Sequence, residues 1–495
     1  NLLGDHFHPI LILLGPIWRL FPTPLSLLIT QDLLLAFSAW PLTRLASRLT
    51  NQWVAGGLGL VYVLSWGMQG AVAAQFHEIA FAMPLLAYAS VAFVERRWGA
   101  VTAWSAPLVL VKEDMGLTVL MIGVAVILTS AVPAWYRSCT VIRPGDRGAD
   151  GLDAAAGNTP TDEATRNRHR GLRLGVGMVV GGIAAFLFAI QVFLPAFNIN
   201  GVWDYGLGSQ DQPASPDALT QKATVVVMLI LTSGVIGVTS PWLLVVLPTL
   251  AWRFLGSVEF YWVWDNWHYN ATLMPIALGA LLDVVARRRA HGSYVADHPV
   301  RQVGVDGRAV MGRSAQAAGE AGEAGTAGES DVDGPRRRPT AFPTWLTVPM
   351  RHRFVVATSI LTAVATGVLT APYLPLWQAT NKNFDPLAAE AKQSDEAQRT
   401  ETHRVAVAHE VIATIPEGAT VVTDLSLLAY LVPRAEVSWV GTSGPDKEYI
   451  VMTPTSANQW GTTNAATWGE QHSKQGATYS LIFNKDSYQI AKRNG

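Results

Sequence analysis

Apolar runs broken by short polar stretches fill most of the first 373 residues of the chain. About ten such runs can be read, at 25–44, 53–73, 79–95, 98–111, 115–135, 173–195, 222–236, 239–254, 269–286 and 354–373. A full membrane span takes ~20 apolar residues, so this pattern predicts an all-α polytopic membrane protein. The pairs 98–111 with 115–135 and 222–236 with 239–254 contain the shortest runs. They predict half-helices buried in protein, and such breaks line cavities. Pro9 to Phe21 is apolar but carries Gly15, Pro16 and Arg19, which suits a helix lying along the membrane surface.

Beyond residue 376 the pattern changes. A helical period at 398–414 precedes the strand-like Thr420-Val421-Val422-Thr423. Glu448 to Met452 and Tyr479 to Phe483 read as further strands, and 486–492 should pair with the last of these through a turn at Asn484-Lys485. The expected organisation is a transmembrane domain over 1–376 and a small extracytoplasmic α/β domain over 377–495. The stretches 138–171 and 290–345, rich in Gly, Ala and charge, are expected to be disordered loops. The chain opens on Asn1 in what reads as a loop, so one more helix is expected upstream, for eleven crossings in all.

Composition strengthens the membrane assignment: 50% of residues are hydrophobic and 15% charged. The formal net charge of −1 carries no nucleic-acid signature, and the single cysteine, Cys139, leaves no disulfide framework. Orientation follows from arginine, which cytoplasmic loops retain. Arg44 and Arg48, Arg96 and Arg97, Arg137 to Arg173 and Arg287 to Arg353 mark inner connections of a multi-pass protein of the cell membrane. Counting crossings from these marks puts 1–24, 74–78, 112–114, 196–221, 255–268 and the tail outside.

Four polar clusters fall on that outer face: Asp5-His6-Phe7-His8, His77-Glu78, Lys112-Glu113-Asp114 and Asp265-Asn266-Trp267-His268-Tyr269. Charge at membrane depth costs roughly 2.5 to 3.5 kcal/mol per group, so Lys112, Glu113 and Asp114 must pair or line a polar cavity. Lys112 and Lys222 are the only lysines before residue 380, where arginine supplies the other cations. A mutual ion pair at the interface is the plainer reading of Lys112. His77-Glu78 lacks the second histidine of a zincin, but His6, His8 and His77 together with Asp5 or Glu78 have the chemistry to hold a divalent metal ion. Solvated interfacial histidines are the alternative. Six aromatics between Phe260 and Tyr269 fit an interfacial belt. They also fit a sugar subsite in which Trp264 and Tyr269 stack on the ring while Asp265 and His268 bond its hydroxyls.

The stretches Asn1-Leu2-Leu3-Gly4-Asp5-His6-Phe7-His8-Pro9, Phe76-His77-Glu78-Ile79-Ala80-Phe81, Val111-Lys112-Glu113-Asp114-Met115-Gly116 and His268-Tyr269-Asn270-Ala271 with Pro275 resemble the signatures of a prokaryotic membrane-protein family of unknown function. Members of that family are similar to the GT-C superfamily of glycosyltransferases. This resemblance implies an integral membrane enzyme that takes a sugar from a polyprenyl-phosphate donor and attaches it to a cell-envelope glycan or protein at the outer face. It implies an acidic catalytic base in the first outer loop, where Asp5 lies. Glu78, Glu113 and Asp114 are the other catalytic candidates, and Lys112, His77 or His268 could stabilise the departing lipid phosphate. A transporter or lipid flippase is the rival reading, with a path of intramembrane His, Glu, Asp and Lys. Such a path places ionisable groups at successive depths, and towards the inner side only Asp32 and Asp283 are candidates.

Overall fold

The computed structural model describes residues 4–131, 160–198, 201–203, 217–256, 258, 261–265, 267–297, 348–377, 395–440, 446–453 and 464–494. The chain is mostly helical, with a small sheet near its C-terminus. Among the described residues, four helices are long and apolar enough to cross a membrane: Pro24–Leu49, Glu163–Phe197, His268–Arg289 and Arg353–Tyr373. Six more apolar helices are shorter. Of the ten runs expected, four are thus full-length helices among the described residues, and the others are shorter or divided.

Helix α1 (Pro24–Leu49) starts where the Thr23 hydroxyl accepts the amide of Leu25 and Pro24 takes the first turn. The run expected at 53–73 divides into α2 (Gln52–Val63), capped by Asn51, and α3 (Trp66–Ala73). A short 3-10 turn, Glu78–Phe81, leads into α4 (Ala82–Val94). Helix α5 (Trp98–Ser105) tightens into a 3-10 turn at Ala106–Leu110 before α6 (Met115–Ala131). Helix α7 (Pro160–Phe188) packs along α6. A side chain at Gly116 or Gly123 would strike the backbone of α7, and one at Gly182 that of α6, so these helices approach to backbone distance. The π-turn Ala189–Phe193 carries this long helix on to Phe197.

Helix α8 (Ala218–Thr232) is followed by 3-10 turns and the short α9 (Leu247–Leu255). Helix α10 (Leu273–Asp297) is the central element, buried over most of its apolar length between α1, α4, α8 and α11 (Val348–Thr370). Two loop expectations change at their edges. Helix α7 already begins at Pro160, inside the stretch expected to be disordered, and α10 runs past residue 290. Residues 138–159 and 298–345 of those stretches lie outside the described residues. Pro9–Leu14 is a 3-10 helix that runs without interruption into a short α-helix, Gly15–Leu20; Gly15 keeps helical backbone angles, so the expected break there becomes a change of helix type.

The C-terminal sheet has the order β2-β1-β3-β5-β4. Strand β1 (Thr420–Thr423) is parallel to β2 (Glu436–Trp439) and to β3 (Tyr449–Met452), whereas β4 (Tyr479–Lys485) and β5 (Tyr488–Arg493) form an antiparallel hairpin against β3. Alternation along the strands sends side chains to two cores. Val421, Val451 and Ile490 meet α12 (Asp395–Thr414) and α13 (Leu425–Leu431) on one face. Val422, Ile450 and Ala491 meet Trp468 of α14 (Ala465–His472) on the other. The hairpin turns at Asp486-Ser487, two residues later than expected, with φ of 49° and 65° at the two positions. Positive φ at both central residues is the turn that matches strand twist.

Candidate functional site

Three of the four polar clusters are tied together by hydrogen bonds or ring contacts at one end of the helices, and the fourth joins them by stacking. Glu113, in the turn before α6, is 4% exposed and receives two donors from the first loop. His6 Nδ1 lies 2.9 Å from its Oε1, and the backbone N–H of Phe7 donates to Oε2 at 3.1 Å. The same loop is held from the other side by the end of α7: Phe7 packs edge-on against Phe193, and the Asn198 amide donates to the Gly4 carbonyl at 3.0 Å. Lys112 donates to Glu78 at 3.0 Å, so the two clusters before α4 and α6 are also joined.

His77 and His268 stack with ring centroids 3.6 Å apart and planes 22° from parallel. Tyr269 follows in the same column, 4.1 Å from His268 and 4.8 Å from Tyr261. Backbone conformation aims these rings. Gln75, two residues before His77, and Trp267, directly before His268, have φ of 70° and 62°, which costs a non-glycine residue of order 1–3 kcal/mol and survives only where surroundings impose it. On one side the Gln31 side chain of α1 imposes it, accepting the His77 amide at 2.8 Å and donating to the Ala71 carbonyl. On the other, α3 presses on the His268–Asn270 turn so closely that a side chain at Gly67 would collide with the Asn270 carbonyl.

The charges divide unevenly. Burial pushes Asp114 up to about 6, with Glu113 and Glu78 adding to the effect and Lys112 opposing it. Its Oδ1 is enclosed and has no hydrogen-bond partner among the described residues. Burial alone would raise Glu113 too, but the hydrogen bond and charge of His6, with Lys112, bring it below the ordinary glutamate value. Burial lowers His77, more than Glu78 raises it, so this ring is neutral at physiological pH. His268 Nδ1, like Asp114 Oδ1, is buried without a partner. Neither atom has a hydrogen-bond partner among the described residues, although the groups around them are bonded to one another.

Among the expected site residues, His6, His77, Glu78, Lys112, Glu113, His268 and Tyr269 are brought together by these contacts. Asp5 is half-buried in the first loop beside His6, and Asp114 adjoins Glu113. Trp264 packs edge-on towards Tyr373, at 6.5 Å, and Asp265 stands half-buried in the same loop. The metal set His6, His8 and His77 does not assemble. His6 is taken by Glu113 and His8 bonds the His6 carbonyl, while the face of His77 lies on His268 and its Nδ1 contacts the Gln75 carbonyl at 3.3 Å. No three histidine, cysteine or acidic side chains among the described residues are grouped to hold an ion.

Sequence reasoning missed Arg253, on α9. It is 3% exposed and ties the aromatic loop together, donating to the carbonyls of Tyr261 at 2.8 Å and Tyr269 at 3.1 Å and to Asn270 Oδ1 at 2.7 Å. Asn270 then donates to the carbonyls of Val263 and Trp264. One arginine among many gave no signal; its place in an otherwise apolar segment, Pro241–Leu255, was the available clue.

At the opposite end of the same helices lies a second ionic group. Asp283 is fully buried and held by Arg96 at 2.7 Å, Ser240 at 2.7 Å and Arg287 at 3.1 Å, while Glu95 pairs with Arg48 and Arg97. Arg48, Arg96, Arg97 and Arg287, four of the arginines used for orientation, are thus gathered at one end and His77, His268, Lys112, Glu78 and Glu113 at the other.

No curated protein and no solved structure matches the chain. A family model does match, described as predicted membrane protein (DUF2079), over residues 1–301, which contain all four clusters, Arg253 and Asp283. The chain therefore belongs to this family of predicted membrane proteins.

Proposed function

We propose that the chain is a membrane glycosyltransferase that moves a sugar from a polyprenyl-phosphate donor to a cell-envelope glycan or protein acceptor at the outer face. The observation that supports this most is the meeting of three carboxylates, one ammonium and two stacked imidazoles at a single end of an apolar helical bundle. Asp114 is the favoured base. Its carboxyl is raised towards neutral pH, where a general base works best, and one oxygen has no other partner. In the proposed step the acceptor hydroxyl gives its proton to Asp114 as its oxygen bonds the anomeric carbon. The bond from that carbon to the lipid phosphate breaks on the opposite side, with inversion. Glu113 is occupied in fixing the first loop, and the Glu78–Lys112 pair keeps that cluster ionised. The C-terminal α/β unit, read as extracytoplasmic, would help select the acceptor.

Of the two inner candidates of the transporter reading, Asp283 has both oxygens engaged by Arg96, Arg287 and Ser240, which favours a structural role for it. Asp32 is exposed on α1, next to Gln31. The deciding assay supplies purified protein with polyprenyl-phosphate sugars and follows release of the lipid phosphate. Release that falls by orders of magnitude in Asp114→Asn supports the enzyme. If no donor is consumed while the protein in sealed vesicles moves protons or lipids, the transporter takes its place.

A further inference from the structure

Positive charge near the site is answered very differently at three positions. Lys112 faces Glu78 directly and has Glu113 and Asp114 beside it. Its charge is already spent within the chain. Arg253 and Lys222 have no carboxylate partner among the described residues. Arg253 donates only to two carbonyls and one amide oxygen. Lys222, half-buried on α8, donates to the Phe254 carbonyl at 2.8 Å and stands 4.0 Å from the centre of the Trp262 ring.

These two cations belong to one structure. Phe254 follows Arg253 on α9, and the Trp262 indole that faces Lys222 donates to the Arg253 carbonyl at 2.7 Å. A buried guanidinium without a counter-ion is costly, and carbonyl dipoles offset only part of that cost. Both groups also keep donors in reserve. A guanidinium has five N–H groups and an ammonium three. Three are used by Arg253 and one by Lys222. Arg253 lies 5.9 Å from the Tyr269 ring, which begins the column leading through His268 to His77 and the carboxylates. The site thus has an acidic end at Glu113 and Asp114 and a cationic end at Arg253 and Lys222.

We propose that Arg253 and Lys222 bind the phosphate ester of a lipid-linked substrate, in the role that the sequence had suggested for Lys112, His77 or His268. This deepens the glycosyltransferase reading and rests on it for the identity of the lipid. The chemistry is charge-assisted hydrogen bonding to a phosphate that is already anionic before the reaction and gains charge as the sugar leaves.

The test is calorimetric titration of the full chain, in neutral detergent, with farnesyl phosphate, inorganic phosphate and phosphatidylglycerol. Saturable binding of farnesyl phosphate is expected, about tenfold weaker in Lys222→Gln, restored in Lys222→Arg, and weaker again in Arg253→Lys. Lys222→Gln is the decisive variant, because a half-buried side chain on the flank of α8 can be exchanged without opening the core, and an unchanged melting temperature would show that the fold is intact. Inorganic phosphate binding as tightly as farnesyl phosphate would make free phosphate the ligand, and equal affinity for phosphatidylglycerol would make it a general lipid headgroup; either overturns the substrate assignment. Absence of binding, or loss in Lys112→Met with none in Lys222→Gln, overturns the site itself. If farnesyl phosphate binds through Lys222 while no sugar donor is turned over, the anion site stands and glycosyl transfer falls. If donors are turned over and Lys222→Gln binds and reacts normally, transfer stands and this site falls.

Discussion

His77 and His268, from distant parts of the sequence, stack face to face with ring centroids 3.6 Å apart. Stacked imidazoles direct their nitrogen lone pairs outward in two nearly parallel planes. They cannot both aim at one ion between them, and no three histidine, cysteine or acidic side chains are grouped to hold an ion among the described residues.

The stack separates packing from chemistry. His268→Phe keeps an aromatic surface against His77 and removes the unpartnered Nδ1. Thermal stability in detergent should be equal to or above that of the parent, because a buried unsatisfied atom costs about 1–3 kcal/mol. Release of lipid phosphate at low donor concentration should fall by about tenfold, the loss of one hydrogen bond of ~1.4 kcal/mol from Nδ1 to a bound group. A variant that is stable and fully active would remove His268 from the mechanism.

Asp114 sets a pH dependence whose sign is fixed. Its carboxyl is raised from 3.8 to about 6, so the folded chain holds this proton more tightly than the unfolded chain does. Asp114 therefore takes stability away as pH rises through that window, and Asp114→Asn should melt higher than the parent at pH 7.5 but equal to it near pH 3.5. The pH–rate profile should show an acid limb near 6, where a base with an ordinary aspartate value would place it near 4. A limb near 4 would assign the base elsewhere, with Asp5 the first candidate.

At the other end of the helices, Asp283→Ala should leave the Arg96 guanidinium, 9% exposed, without its carboxylate. Breaking a buried pair by removing one partner costs roughly 3–5 kcal/mol. A large drop in melting temperature is expected, with turnover per folded molecule unchanged. Loss of turnover without loss of stability would revive a role for Asp283 in a transport path.

The C-terminal sheet tests orientation. Protease added to spheroplasts should release a fragment containing Thr420–Arg493, and the fragment should resist further digestion, since both faces of its sheet are covered. Protection of the intact chain from external protease would invert the proposed topology.

Much of this architecture was legible because it follows from period and polarity. The strands at Thr420–Thr423, Tyr449–Met452 and Tyr479–Lys485 carry β-branched and aromatic residues in short runs, and the helix ending at Thr414 shows its apolar stripe. Strand Glu436–Trp439 was missed because it lies at the sheet edge, with Glu436 exposed and no fully buried residue to give a pattern. The four clusters were legible because charge among apolar residues is conspicuous. Their partners were not. That Lys112 meets Glu78 and that Glu113 meets the first loop depend on how helices far apart in sequence pack. Arg253 escaped for the same reason, since what distinguishes it is the set of carbonyls around it.

Helices α4 and α10 run side by side in the same direction and are clasped twice, by residues within them or directly flanking them. Just before their first turns the clasp is the ring pair His77 and His268; past the end of α4 and midway along α10 it is the salt bridge of Arg96 and Asp283. The α-helical stretch from Leu273 to Asp283 alone separates the two clasps by about 15 Å at 1.5 Å per residue. Sliding one helix past the other by a single turn would break both at once, so this pair serves as a fixed rail. Whatever movement admits a substrate or lets a product out must come from the parts mounted on the rail, the loop at residues 4–8 and the aromatic loop held by Arg253.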